Sequence, residues 1–191
     1  MEGLVEEVDL DGDATLIVGT DDAKIRLKVS SALLSAVSPY FRTLFGQRFK
    51  EGQELAGGKD IALQDDDPNA FTMLCKILHM RYKLPRVPLN ADQLLDFAIV
   101  TDKYSCTKSV ALVLKSLFPE VSTTTMDFID VGKCVSATYL LDHPQLFQSF
   151  TEHMAKGFVN DFIGFAILPS GQHVPAIAWG KCQYVHPRLF S

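Results

Sequence analysis

Between Lys24 and Val29 the chain alternates without a break, with Ile25, Leu27 and Val29 set against Lys24, Arg26 and Lys28. A period of two is that of a strand with one buried face. Upstream, Ala14–Gly19 places Leu16 and Val18 on one face and Ile17 on the other. The intervening Thr20-Asp21-Asp22-Ala23 has turn chemistry, because adjacent aspartates hydrogen-bond their own backbone. The two runs predict an antiparallel hairpin. After Val29 the period changes. Leu33, Leu34, Val37, Phe41, Leu44 and Phe45 recur at helical spacings, interrupted at Ser38-Pro39. Serine suits an N-cap and proline the first helical turn. Two short helices are therefore expected, Ser30–Val37 and Pro39–Gly46.

Gly46, Gly52, Gly57 and Gly58 mark a loop from Gly46 to Asp60, and Ile61 and Leu63 a third short strand. Asp65-Asp66-Asp67 before Pro68 is a strong helix start. In the helix running to Arg81, Phe71, Leu74, Cys75 and Leu78 form one apolar stripe. Met73, Ile77 and Met80 form a second, which predicts packing on two sides. Pro85 and Pro88 end it. Asn90 caps the next helix, Ala91 to Tyr104, with Leu94, Leu95, Phe97, Ala98 and Ile99 inward. A helix from Thr107 to Leu117 follows, and Pro119 closes the section. Beyond it, Asp127–Leu141 carries Phe128, Val131, Val135 and Tyr139. Pro144–Met154 carries Leu146, Phe147, Phe150 and Met154, and Phe158–Leu168 is a third apolar stretch. The last 20 residues give no assignable pattern. Residues 1–12 are acidic and expected to fray, with a short strand near Leu4-Val5.

A hairpin, Leu33-Leu34, Ser38-Pro39-Tyr40-Phe41, Leu44-Phe45, Phe49-Lys50-Glu51 and then a capped helix occur in one order. That order resembles the BTB/POZ domain over about Asp13 to Phe118. The resemblance implies an α+β fold, a small three-stranded sheet flanked by helices and followed by C-terminal helices. It divides the chain into an acidic N-terminal segment (1–12), a BTB/POZ domain (13–119) and a helical C-terminal extension (120–191). It implies a protein-docking module rather than an enzyme. Two departures stand out. Many members carry a Val-His pair where this chain has Val29-Ser30. Residues 1–12 also leave little room for the strand and helix that long BTB domains exchange between subunits. The swapped homodimer is therefore not carried over, while a smaller dimer or another assembly stays open.

Composition agrees with a folded protein. Of 191 residues 47% are hydrophobic and 21% charged, which argues against wholesale disorder. The net charge of −5 is unevenly spread. Residues 1–67 hold 14 acids against 7 bases, and residues 68–191 hold 9 against 11. Such a chain could orient a partner or its own copy; the plainer reading is a solvated surface. No basic stripe points to nucleic acid. The first 13 residues are acidic, so no signal peptide is expected, and the apolar run Phe162–Leu168 is far short of a membrane span of about 20 residues. Cys75, Cys106, Cys134 and Cys182 have the spacing of no zinc module. The expected setting is reducing and intracellular, cytoplasm or nucleus, with no membrane and no nucleic-acid partner.

Three residues are candidates for partner binding: Phe49, Glu51 and Asp13. In BTB adaptors of cullin ubiquitin ligases, a hydrophobic residue, any residue and then Glu help dock the cullin. Here Phe49 would fill a pocket and Glu51 meet a donor at its rim; alternatively Phe49 folds onto its own core and Glu51 is solvated. Asp13 matches an acid that lies in a charged pocket at the dimer interface of many members, or it is a turn residue of Asp11-Gly12-Asp13. The expected role is self-association or partner docking, with a cullin adaptor as its most specific form. The alternative is a scaffold or transcription-associated assembly module with no ligase role. No catalytic residue, cofactor or metal site is expected. Gly58-Lys59 is followed by Asp60 rather than Ser or Thr, and position 53 is Gln53, so a phosphate loop fails on spacing. Cys75 and His79 stand at i, i+4, half of a metal site at most; a core cysteine beside a helix-end histidine is the plainer reading.

Overall fold

The computed structural model describes residues 5–20, 23–46, 60–83, 87–119, 126–157 and 168–174. Strands β1 (Val5–Glu7), β2 (Ala14–Val18), β3 (Ile25–Val29) and β4 (Ile61–Leu63) form one sheet in the order β1-β3-β2-β4. The expected hairpin is present: β2 and β3 are antiparallel, with Leu16 opposite Leu27. Their shared apolar face is fully buried at Leu16, Val18, Leu27 and Val29. β4 pairs with β2 in parallel. The sheet has four strands rather than three. The extra one, β1, comes from the acidic segment and runs parallel to β3. An ion pair from Glu6 to Lys76 also holds it.

The helices among the described residues are α1 (Ser31–Val37), α2 (Pro39–Leu44), α3 (Pro68–Leu78), α4 (Ala91–Lys103), α5 (Thr107–Leu117), α6 (Phe128–Leu140) and α7 (Pro144–Gly157). A 3-10 turn spans Pro169–Gly171. Ser38 both ends α1 and starts α2. Its Oγ accepts from the Phe41 N–H at 3.2 Å and donates to the Tyr104 carbonyl at 2.6 Å. Asp67 caps α3 through the Ala70 N–H at 2.7 Å. Asn90 and Gln93 cap α4 reciprocally, each side chain accepting from the other's N–H, the arrangement of a capping box.

α3 stops at Leu78, short of the expected Arg81. The N–H groups of Met80 and Arg81 donate back to Ile77 and Lys76 at 3.0 and 2.7 Å. This is a Schellman closure with Met80 in the left-handed position, φ 54°, where glycine is usual. Met80 was expected on an inward stripe with Met73 and Ile77; the closure turns it out, and it is 90% exposed.

The chain forms two compact units. The first holds the sheet, α1 to α3 and Val100–Leu112. Its centre is aromatic. Phe41 stacks on Tyr104 at 4.9 Å, and Phe71 meets both rings edge-on, at 6.3 and 5.1 Å. Phe41, Phe71 and Tyr104 are fully buried. The second unit includes the start of α4, Val113–Leu117 of α5, α6 and α7. Phe118 packs on Phe150 at 5.8 Å, and Lys133 bridges Asp92 and Asp130 at 2.8 and 3.2 Å. On α6 the buried positions are Val131, Gly132, Cys134, Val135, Ser136, Ala137 and Thr138. Tyr139, expected inward, is 41% exposed and lies against Phe147 at 6.0 Å. The expected domain boundary at Pro119 falls inside this second unit. The stretch 158–167 and residues 175–191 lie outside the described residues.

Candidate functional site

The three candidate residues fare differently. Phe49 and Glu51 lie outside the described residues. Asp13 is exposed, at the start of β2, and its carboxylate is engaged within the chain. Oδ1 accepts from the Ser31 N–H at 2.7 Å and Oδ2 from the Ser31 hydroxyl at 2.6 Å. Partial burial works to raise the Asp13 carboxyl, but these bonds, with its own backbone N–H, hold it below the ordinary carboxylate range. Asp13 thus fastens the loop before β2 to the start of α1.

The neighbouring residue is a second fastening point. Ser30 caps α1 through the Leu33 N–H at 3.3 Å. Its own N–H donates to His79 Nε2 at 3.1 Å. With Nε2 accepting, Nδ1 carries the proton and donates to the Cys75 carbonyl at 2.8 Å. Both ring nitrogens are therefore occupied, which removes His79 as half of a metal site. Burial, then the neighbouring Cys106, pushes the Cys75 thiol well up, so it is a poor thiolate ligand. Among the described residues no group of three or more His, Cys, Asp or Glu could hold a metal ion. No described helix is long and apolar enough to cross a membrane.

Two surface segments hang from this Ser30-Ser31 junction. One is the loop from Glu7 to Asp13. Gly12 approaches Val29 so closely that a Cβ would stand 2.7 Å from its carbonyl oxygen. Lys28 Nζ donates to the Leu10 carbonyl at 2.6 Å, leaving the Leu10 side chain 67% exposed. The other is Met80–Lys83, which leaves α3 directly after His79.

A third group was not foreseen from the sequence. Asp66, whose side chain is 3% exposed, accepts from Tyr104 OH at 2.6 Å and from Lys103 Nζ at 2.7 Å. Burial, then the bond to Asp66, pushes the Tyr104 hydroxyl far above its ordinary value. The partners are 37 and 38 residues apart. The only local signal was a third aspartate in a run where one suffices for the cap.

Chemically, the described surface offers apolar side chains and charges suited to binding. Tyr40, Leu112 and Met80 are exposed on the first unit. No curated protein matches the chain. The BTB/POZ domain family matches residues 7–117, and domains of this family are protein–protein interaction modules. The match begins at the end of β1, runs through the sheet, α1 to α3 and α4, and ends with α5. It takes in more than half of the 191 residues, so this chain belongs to the BTB/POZ family.

Proposed function

We propose that this chain works by docking proteins, as a non-catalytic subunit of an assembly in the cytoplasm or nucleus. The observation that carries this reading is the BTB/POZ match over residues 7–117. Leu10, Met80 and Leu112 are exposed at 67%, 90% and 98% and are available to a partner. The most specific form of the role is that of an adaptor joining a cullin ubiquitin ligase to a target, with Phe49 as apolar anchor and Glu51 at its rim. Asp13 supports the same role from inside, by fixing the loop before β2.

The test is affinity capture from the native host, scored for cullin peptides, followed by titration of a purified cullin N-terminal domain. Phe49→Ala should weaken that binding about thirtyfold, the loss of one central anchor of about 2 kcal/mol. Glu51→Ala should cost less, because rim charges are screened. Absence of binding by the unaltered chain rejects the adaptor form and leaves docking in a scaffold or transcription-associated assembly. Unfolding by Phe49→Ala would assign Phe49 to the core instead.

A further inference from the structure

We infer that Met80–Lys83 is a docking strip for an acidic linear segment of a partner protein, an extended stretch in which two carboxylates two residues apart lie beside an apolar side chain. The inference rests on the docking reading and deepens it by naming the chemistry of one partner.

The strip owes its sign to a gap in the sequence. No acid occurs between Asp67 and Asp92, while Lys76, Arg81, Lys83 and Arg86 do. Lys76 is already matched by Glu6. Arg81 and Lys83 are exposed, and among the described residues neither makes an ion pair. Tyr82 between them is half-buried, and that burial pushes its hydroxyl above the ordinary value. Burial thus alternates along Arg81-Tyr82-Lys83, as in an extended chain whose middle side chain turns inward and whose neighbours share one outward side. Side chains two residues apart in such a chain stand about 7 Å apart. That spacing suits two single carboxylates, one on each base, better than one phosphate gripped by both. Arg81 offers the planar fork that pairs with a carboxylate. An extended partner repeats at the same interval, so acids at alternate positions meet both bases.

Met80 supplies the apolar contact. It is 90% exposed, and its flexible thioether adapts to apolar partners of different shape. Its backbone is an independent pointer. The left-handed closure of α3, φ 54°, is one that glycine makes without strain. Holding methionine there strains the backbone and exposes a large apolar side chain, and strain kept at an exposed position points to use by a partner. The rest of the surface selects among anionic partners. The net charge is −5, with the excess of acids in residues 1–67, and the loop carrying Glu7 and Asp11 hangs from the same Ser30-Ser31 junction. A broad anionic face such as a lipid bilayer would be repelled there, whereas a narrow acidic segment can reach the two bases alone.

The probe is a fluorescein-labelled peptide, Glu-Ser-Glu-Ser-Leu-Ser-Glu-Ser-Glu, which offers the pattern in either chain direction. It is titrated against the full chain by fluorescence anisotropy, with thermal melts to confirm that each variant folds. Binding should weaken as salt is added. Arg81→Ser with Lys83→Ser should weaken it about tenfold, the loss of two surface pairs. Met80→Gly should weaken it severalfold while raising the melting temperature, a pair of effects that a purely structural methionine would not produce. The same peptide with lysine for glutamate should not bind. No binding at millimolar peptide, or binding indifferent to the Arg81 and Lys83 changes, would overturn the inference. So would tighter binding of phosphatidylserine vesicles, or of a peptide with one phosphoserine in place of its glutamates, if either is lost in the Arg81 and Lys83 variant; the strip would then belong to lipid or phosphate. None of these changes touches Phe49 or Glu51, so the cullin titration stands or falls separately.

Discussion

Replacing Tyr104 by Phe removes one hydroxyl and leaves the ring. The stack on Phe41 at 4.9 Å and the edge contact with Phe71 at 5.1 Å survive, so no cavity term enters. What is lost is the 2.6 Å bond to Asp66. A hydrogen bond to a charged group contributes about 1.5–3 kcal/mol. The acceptor is nearly sealed from water, so solvent cannot replace the donor. Lys103 remains at 2.7 Å, but its side chain is 39% exposed, and partial screening keeps it from compensating in full. Tyr104→Phe should therefore cost about 2 kcal/mol in a urea titration, with the slope of the transition unchanged. Asp66→Asn combined with it should show coupling of about 1 kcal/mol or more, since the two groups touch. A cost below about 0.5 kcal/mol, or a cycle that is additive, would refute the reasoning and reassign Asp66 to Lys103 alone.

Phe41→Ala should cost about 3–5 kcal/mol, a large part of the stability of a domain this size; a denaturant titration giving under about 1 kcal/mol would mean the ring is not packed. In alkali the protein should weaken from about pH 9. Burial pushes the Cys106 thiol up to about 11, against a smaller lowering by Ser38, and burial chiefly pushes Cys134 to about 12, both from an ordinary 9.0. Below pH 9 both folded and unfolded chains keep these protons. Above it the unfolded chain releases them first, so each group removes about 1.4 kcal/mol per pH unit until its folded value is reached. Urea midpoints under reducing conditions that stay flat to pH 11 would contradict this, and Cys106→Ala should lessen the slope. A chain cut after Pro119 leaves Phe118, 5% exposed in the whole chain, without the Phe150 ring it packs on. Its melt should be broader than that of the whole chain, and an equally sharp one would show that α6 and α7 are dispensable.

The parts of the fold that were legible are those whose pattern repeats locally. The β2–β3 hairpin declares itself by alternation, and the starts of α2, α3 and α4 by Ser38-Pro39, Asp67-Pro68 and Asn90. β1 was the harder element: three residues, two of them glutamates, form a strand because β3 offers a parallel edge and Lys76 a counter-charge. Met80 shows the opposite error, where an apolar spacing continued past the point at which the Schellman bonds had ended the helix. On α6, apolar identity drew attention to Tyr139, while burial runs through the small and polar residues Gly132, Cys134, Ser136, Ala137 and Thr138 as well as the valines. Asp13 could be read as an acid of interest, but not that Ser31 holds both of its oxygens. Ties such as Asp66 to Tyr104 leave no periodic trace, because their partners are remote in sequence.

The bond from Ser38 to Tyr104 also bears on how the chain reaches its native state. It joins residues 66 apart, and closing a loop of that length costs about 4 kcal/mol of chain entropy. The corner between α1 and α2 can form early, since the Phe41 N–H cap is local. Its second bond must wait until α4 has arrived, after the loop is closed. Interactions completed after the transition state govern escape from the native basin more than entry into it. Ser38 thus joins a local cap and a distant latch through one hydroxyl, and if the latch closes after the transition state, breaking it should speed unfolding more than it slows folding, which the two limbs of a chevron plot read directly.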